Sequence, residues 1–446
     1  MNRILRKIGM VSLGCPKNTV DSELVLGTLA SKGYNITADA GGAEVIVVNT
    51  CGFIDSAKEE SIDTILEMAE YKRKGSCQKL IVMGCLSQRY KDELLKEIPE
   101  VDYIVGTGDF KSVVKIIESD NGIEKVLVRE PAFDYNEDTP RMLTTPRYTA
   151  YVKIAEGCSN RCSFCIIPKI RGPFKSRPAD SIVREVEILS GHGVKEVNLI
   201  SQDTTMYGVD LGIKNGLAGL LKRLVRIDGI KWIRLLYCYP AFLKDELINV
   251  IRDEEKICKY IDLPLQHSDD KILSKMMRQE RGDKIRDLVN KIRKAIPDVA
   301  IRTVFIVGFP GEADTHFGHL VNFIKEMRFE HLGIFTYSPE EGTTAAEMSD
   351  QIPDEVKIER RDIIMKLQQK ISSENNKRFV GMMRDVLVED SVFDNEFLIK
   401  GRMQTQAPDI DGIVYIEEGD ARVGDILPVK ITRTMEYDFI GRAVNR

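Results

Sequence analysis

The sequence predicts three units in series: an open parallel α/β sheet over residues 1–125, a partial barrel of six βα units over 148–375, and a five-stranded, OB-like β-barrel over 376–446. Residues 126–147 read as a linker. Three observations carry this reading. Length comes first, because 446 residues exceed what one ordinary core encloses. Short β-branched runs also alternate with helix-like stretches through the first two units, as parallel sheets require. Finally, beyond a charged helix from Asp354 to about Lys377 the pattern changes to short alternating strands separated by Asp, Asn and Gly.

In the first unit, strands are expected at Ile8–Leu13, Tyr34–Ala38, Val45–Asn49, Leu80–Met83 and Tyr103–Val105. Helices fall between them, around Asp21–Ser31, Ser56–Lys72, Lys91–Ile98 and Phe110–Glu118. Cys15, Cys51 and Cys85 each lie just past a strand: the first, third and fourth. In a flavodoxin-like order 2-1-3-4-5 those strands are neighbours, and ligands bind outside the carboxyl ends of such strands. The three thiols are thus expected to meet at one sheet edge, although 36 and 34 residues separate them. Gly14, Gly52 and Gly84 sit beside them and allow close backbone approach to a bulky ligand. Cys77 precedes its strand and belongs at the opposite edge. Three buried strand-end cysteines are the plain alternative; soft thiolates in threes favour a metal centre.

The second unit has strands at Ala150–Glu156, Glu196–Ser201, Trp232–Tyr237, Tyr260–Leu265, Ile301–Val307 and His331–Thr336. Helical patterns separate them, for example Pro178–Ser190, Asp269–Ile296 and Asp314–Arg328. Polar and glycine-rich clusters follow the strands, among them Ser201-Gln202-Asp203, Gln266-His267-Ser268 and Gly308-Phe309-Pro310-Gly311-Glu312. Chemistry sits at that carboxyl face in βα barrels. Cys158, Cys162 and Cys165, at C-x₃-C-x₂-C spacing, occupy the loop after the first strand. Three thiolates this close can hold three irons of a 4Fe–4S cluster and leave the fourth open. A structural zinc site wants four protein ligands, and no other Cys or His lies within twenty residues. His267 reads as a structural histidine, and Cys238 and Cys258 lack partners at metal spacing.

The last unit has strands at Met383–Glu389, Phe397–Arg402, Gly412–Ile416, Ile426–Thr434 and Asp438–Val444. From Lys377 onward it carries 10 Lys and Arg against 13 Asp and Glu. A barrel that grips RNA should present a basic face; a mildly acidic one better suits a basic protein partner. The whole chain, at net −5, has no global basic footprint either. No run approaches the ~18 apolar residues of a membrane span. Arg6–Cys15 mimics a short lipoprotein leader, but its apolar stretch is minimal and Pro16 follows the cysteine, so it reads as a buried strand. Nine cysteines, an odd count, point to a reducing, cytoplasmic setting and metal or redox chemistry rather than disulfides.

With its C-x₃-C-x₂-C motif the chain resembles the radical S-adenosylmethionine (SAM) enzymes. A three-cysteine α/β domain, a radical SAM barrel and a terminal barrel resembling the TRAM domain are, in that order, similar to the radical SAM methylthiotransferases over essentially the whole chain. One branch of that family modifies an isopentenyl-adenosine of tRNA, the other an aspartate of ribosomal protein S12. Ser12-Leu13-Gly14-Cys15-Pro16-Lys17-Asn18-Thr19-Val20-Asp21-Ser22-Glu23 resembles the S12 branch, where the tRNA branch usually has Gly-Cys-Gln-Met-Asn. Ile154–Cys158 and Cys165–Gly172 match the S12 branch too.

The resemblance implies two 4Fe–4S clusters, one on Cys15, Cys51 and Cys85, the other on Cys158, Cys162 and Cys165. It places SAM at the barrel cluster, near Gln202, Gly308, Gly311 and Glu312, with no catalytic side chain beyond the cluster ligands. The implied reaction replaces a hydrogen on Cβ of the aspartate with a methylthio group; an unactivated carbon has no acid–base route, so cofactors carry the chemistry. S12 is the implied substrate, with a reducing electron donor and a sulfur source as partners, no membrane, and RNA contact not favoured. Methylthiolation of tRNA is the alternative. One departure is Ala313–His319, where relatives more often have an acidic, helix-forming run; Gly318 is expected to weaken that helix start.

Overall fold

The computed structural model describes residues 6–119, 122–131, 135–394, 397–417 and 421–444. The first unit runs β1 (Lys7–Ser12), α1 (Pro16–Ser31), β2 (Asn35–Thr37), β3 (Val45–Thr50), α2 (Asp55–Lys74), β4 (Lys79–Gly84), α3 (Cys85–Arg89), α4 (Lys91–Glu97), β5 (Tyr103–Val105), α5 (Phe110–Glu118) and β6 (Val126–Leu127). Its strands pair in the order β2-β1-β3-β4-β5-β6, the expected order with one strand added. The two residues of β6 are too few to leave a periodic signal, and they lie in the stretch read as linker. Every residue of β3 is buried, as befits a parallel strand covered on both faces. Helix α1 begins at Pro16, five residues before the expected Asp21. Proline presets φ for a first helical turn, which leaves Cys15 as the N-cap.

The second unit runs β7 (Thr149–Lys153), β8 (Ala155–Glu156), α6 (Ile167–Arg171), β9 (Lys175–Ser176), α7 (Ala179–Gly191), β10 (Glu196–Ile200), α8 (Gly216–Leu224), β11 (Trp232–Leu235), α9 (Asp245–Asp253), β12 (Ile257–Asp262), α10 (Asp270–Lys275), α11 (Gly282–Ala295), β13 (Ala300–Val307), α12 (Asp314–Met327) and β14 (His331–Thr336). Six of its strands form one parallel sheet, β14-β13-β12-β11-β10-β7. The strand expected over Ala150–Glu156 divides at Ile154, beyond which β8 pairs antiparallel with β9. Asp269–Ile296 is two helices. Asp269 caps the first by accepting from Lys271 N–H at 2.9 Å, Met277 turns left-handed at φ 56°, and Asp270 accepts from Gly282 N–H at 2.7 Å to start the second. The start of α12 is intact despite Gly318: the His316 ring accepts from Ala313 N–H at 3.0 Å, and Arg360 pairs with Asp314 at 2.8 Å.

Helix α13 (Asp354–Asn376) packs on β14 and leads into β15 (Met383–Asp394), β16 (Phe397–Met403), β17 (Val414–Ile416), β18 (Ile426–Thr434) and β19 (Phe439–Ala443). These close as β15-β16-β17-β19-β18. Glu196 on β10 docks this barrel: fully buried, it accepts from Arg402 on β16 and lies 3.2 Å from Arg234 on β11. Burial alone would raise its carboxyl, but the two guanidiniums overcome that and hold it at about 2, below the usual 4.5. Its contribution is therefore complete above the usual carboxylate range and fades as pH falls toward 2. Glu196→Gln is expected to lower Tm at pH 7 and to flatten the acid limb of a Tm-versus-pH profile. An unchanged acid limb would assign that limb to other carboxylates.

Candidate metal centres at the domain seam

The register Ser12↔Asn49 and Asn49↔Met83 aligns the carboxyl ends of β1, β3 and β4. Cys15, Cys51 and Cys85 therefore leave three adjacent strands at one edge, as the cysteine placement predicts. Cys77 lies buried at the opposite end of β4, its thiol donating to Lys79 C=O at 3.3 Å. A Cβ on Gly14 would stand 2.9 Å from Cys51 Cβ, and one on Gly84 2.6 Å from Thr50 C=O. Both glycines have φ in the left-handed region, +86° and +101°, so these turns close only without a side chain. Asn18 ties them by donating to Leu13 C=O at 2.8 Å and to Thr50 C=O at 3.0 Å.

The loop carrying Cys158, Cys162 and Cys165 is pinned by its neighbours in the barrel. Cys158 N–H donates to Gly172 C=O at 3.1 Å and Asn160 donates to Asp203 at 2.9 Å. The Ser163 hydroxyl donates to Lys275 C=O at 2.7 Å. Phe164 meets Phe309 edge-on with centroids 6.5 Å apart, which brings the Gly308–Glu312 loop against the motif. The break after α10 also returns Arg278 to the loop, where it stacks on Tyr239 and reaches within 3.8 Å of Cys162 Sγ.

Burial pushes the Cys85 and Cys158 thiols up to about 11 and Cys165 to about 12, and raises Cys51 as well. A bound metal would have to displace those protons. The cations compensate, since Arg171 lies 3.6 Å from Cys85 Sγ much as Arg278 faces Cys162. Thiolate donors, neighbouring guanidiniums and glycine turns that exclude a Cβ all fit an anionic iron–sulfur cluster. Among the described residues, no three Cys, His, Asp or Glu side chains converge on a single ion.

Arg171, at the end of α6, links the sheet edge that carries Cys85 to the barrel. It donates to Asp21 at 2.8 Å, faces Glu156 at 3.4 Å, and also donates to Asn18. Lys153 pairs with the same two carboxylates, each at 2.6 Å. Burial would raise Glu156, but Lys153 and Arg171 hold it at about 2. Cys85 packs with Ile166 and Ile170, just past Cys165 in sequence. On the far side, Glu340 from the loop after β14 meets Arg89 at 2.8 Å and Lys58 at 3.0 Å. Both triads thus border one seam.

Gln202 stands at this seam and donates to Glu156 at 2.8 Å. Glu312 instead turns inward: its carboxylate accepts from Gly308 and Phe309 N–H and shapes the loop in which Gly308 and Gly311 adopt φ of +73° and +78°. His267 is fully buried, its ring accepting from Asp269 N–H at 3.0 Å, a structural part. Sequence reasoning assigned no role to Asp21, Lys153, Glu156, Arg171 or Arg278. The available signal was Lys153 and Glu156 inside the otherwise apolar run Ala150–Ala155 and its end.

Comparison with known proteins bears on all three units. Residues 7–106 match a family described as Uncharacterized protein family UPF0004, 152–324 the Radical SAM superfamily, and 380–444 the TRAM domain. Proteins from Geotalea uraniireducens and Geobacter sulfurreducens, both named ribosomal protein uS12 methylthiotransferase RimO, are 51% and 50% identical to this chain. The alignments cover 99% of both chains in the first case and 100% of both in the second. The chain belongs to the uS12 methylthiotransferase family. In this methylthiotransferase the first match contains Cys15, Cys51 and Cys85, and the Radical SAM match contains Cys158, Cys162 and Cys165. SAM and an iron–sulfur cluster are accordingly its cofactors. Among solved structures, the radical SAM methyltransferase TsrM from Kitasatospora setae, with cobalamin and a [4Fe-4S] cluster bound, aligns with TM-score 0.55 at 13% identity. That alignment covers 86% of this chain and 81% of the other. The cobalamin-dependent SAM radical enzyme OxsB aligns at 0.53 and 10%, over 80% and 56%. These two share the fold.

Proposed function

We infer that this chain replaces a hydrogen on Cβ of an aspartate of ribosomal protein S12 with a methylthio group, using two 4Fe–4S clusters. The observation that carries the reading is the seam, where Cys85 of one triad packs against the residues that follow Cys165 of the other. Kinship with uS12 methylthiotransferases over the whole chain supplies the substrate. When bound, SAM and the clusters supply the radical and sulfur chemistry. Cys158, Cys162 and Cys165 would hold the SAM cluster, with Gln202 and the loop of Gly308 and Gly311 around SAM and Glu312 shaping that loop from within. Cys15, Cys51 and Cys85 hold the sulfur-delivering cluster.

The protein's own part is placement and dryness. Arg171 and Lys153 clamp the sheet edge to the barrel through Asp21 and Glu156, so a carbon held at the seam faces both centres. The unit 1–125 delivers sulfur, 148–375 generates the radical, and 376–446, reached after the 126–147 connection and the barrel, receives the basic substrate protein. A low-potential electron donor and a sulfur source complete the reaction in the cytoplasm, and no helix among the described residues is long and apolar enough to cross a membrane.

Enzyme reconstituted anaerobically should carry about eight irons with matching sulfide per chain, as two 4Fe–4S centres require. Given SAM, a reductant and either S12 or tRNA, it should add mass to S12 alone. Four irons per chain, or a mass gain confined to tRNA, would overturn the corresponding half of the reading.

A further inference from the structure

Lys17 is the second residue of α1, two positions past Cys15 and only 5% exposed. Its ammonium makes no hydrogen bond or ion pair with any described residue; the Tyr237 ring lies 3.0 Å from it, centroid to nitrogen, and the charge that acts on it most strongly is that of Cys15. Cys15 is a ligand of the first cluster in the reading above, and the carboxylates around Lys17 are already engaged. Asp21, one turn along the same helix, binds Lys153 and Arg171. Glu156 binds the same two cations and Gln202. Asp262 accepts from Tyr237 N–H at 2.9 Å and pairs with Arg302 at 2.8 Å. A buried ammonium with no carboxylate of its own to bind is costly, and folded proteins almost always pair one.

Tyr237 is itself held in an unusual conformation. It lies just past β11 with φ +61°, a left-handed backbone that aromatic residues seldom adopt. The bond to Asp262 and a second, from Thr204 N–H to its carbonyl at 2.9 Å, keep it there. Strain of this kind is held where a side chain must be aimed. The ring supports the ammonium from one side without neutralising it.

We propose that Lys17 binds the side-chain carboxylate of the target aspartate. This rests on the reading above, in which the reacting carbon belongs to an aspartate. That carbon is bonded directly to the carboxylate carbon, so an ammonium that fixes the carboxylate at the seam also fixes the C–H beside it. The substrate brings the free carboxylate that the neighbouring acids of the protein do not offer. A neutral amide of the same shape leaves Lys17 unpaired, and sites built around a charged hydrogen bond reject such analogues.

The test uses full-length reconstituted enzyme with S12 carrying either Asp or Asn at the target position. Wild-type affinity and kcat/KM should fall by about 10- to 100-fold for the Asn form. Lys17→Met should bind both forms alike, at about the wild-type level for Asn, with unchanged iron content and unchanged cleavage of SAM in the absence of S12. Wild-type enzyme that treats the two forms equally overturns the proposal, even where the variant fails to fold. So does a Lys17→Met enzyme that keeps the Asp preference, or one that loses iron while its S12 affinity stays intact, which would make Lys17 a support for the cluster. Enzyme that modifies S12 without preferring Asp sinks this proposal alone; enzyme that modifies only tRNA sinks the functional reading with it.

Discussion

Replacing Cys15, Cys51 or Cys85 with alanine is expected to leave SAM cleavage within about twofold of wild type while methylthiolated S12 falls more than about a hundredfold. The triads sit on different scaffolds: one at the carboxyl edge of β1, β3 and β4, the other in a loop pinned by Asp203, Lys275 and Phe309. Losing a ligand on the sheet edge therefore leaves the barrel loop and Arg278 in place. Each alanine should also lower iron toward about four per chain, since three ligands are already the minimum for an open cluster. Cys77→Ala supplies the contrast. Buried at the far end of β4, it should cost about 1 kcal/mol of stability through a small cavity and alter neither product. Measuring 5′-deoxyadenosine and methylthiolated S12 in the same reaction separates the two functions. If Cys77→Ala lost sulfur transfer with full iron content, the strand-end geometry would be the wrong explanation of the triad.

That contrast marks how far the sequence could be read. Strand positions and cysteine placement were legible because both depend on local periodicity, while the order of the strands was taken from the flavodoxin-like pattern; a cysteine one to three residues past a buried strand has only one edge to occupy. The break at Met277 went unread although residues 278–284 carry no apolar side chain and include Gly282; its geometry is set by bonds to Asp269 and Asp270, which spacing does not reveal. Nor were the partners of Asp21, which lie 132 and 150 residues away on Lys153 and Arg171. Pairings of that kind leave no trace in spacing. Gly318 misled for a related reason, because its cost to α12 is offset by His316 and by Arg360 from α13, a contact invisible to a helix-propensity argument.

The other large effect is expected at Arg171. Arg171→Met keeps most of the side-chain length and removes the fork that touches Asp21, Glu156, Asn18 and Cys85. Lys153 then faces two buried carboxylates alone. Removing one partner from a buried charge cluster costs about 3–5 kcal/mol, and here the loss falls on the contact between the sheet edge and the barrel. Urea unfolding should show that loss. In the folded fraction, SAM cleavage should continue while sulfur transfer falls about a hundredfold, the penalty for a misplacement near 1 Å between reacting groups. Arg171→Lys retains charge without the planar fork and should lie between. Adding Asp21→Asn to Arg171→Met removes one of the stranded carboxylates, so the double variant should be more stable than the sum of the two single losses predicts. Full additivity would mean that Arg171 does not act through Asp21. Wild-type stability and wild-type coupling of SAM cleavage to sulfur transfer in Arg171→Met would mean that the two centres are held together by other contacts.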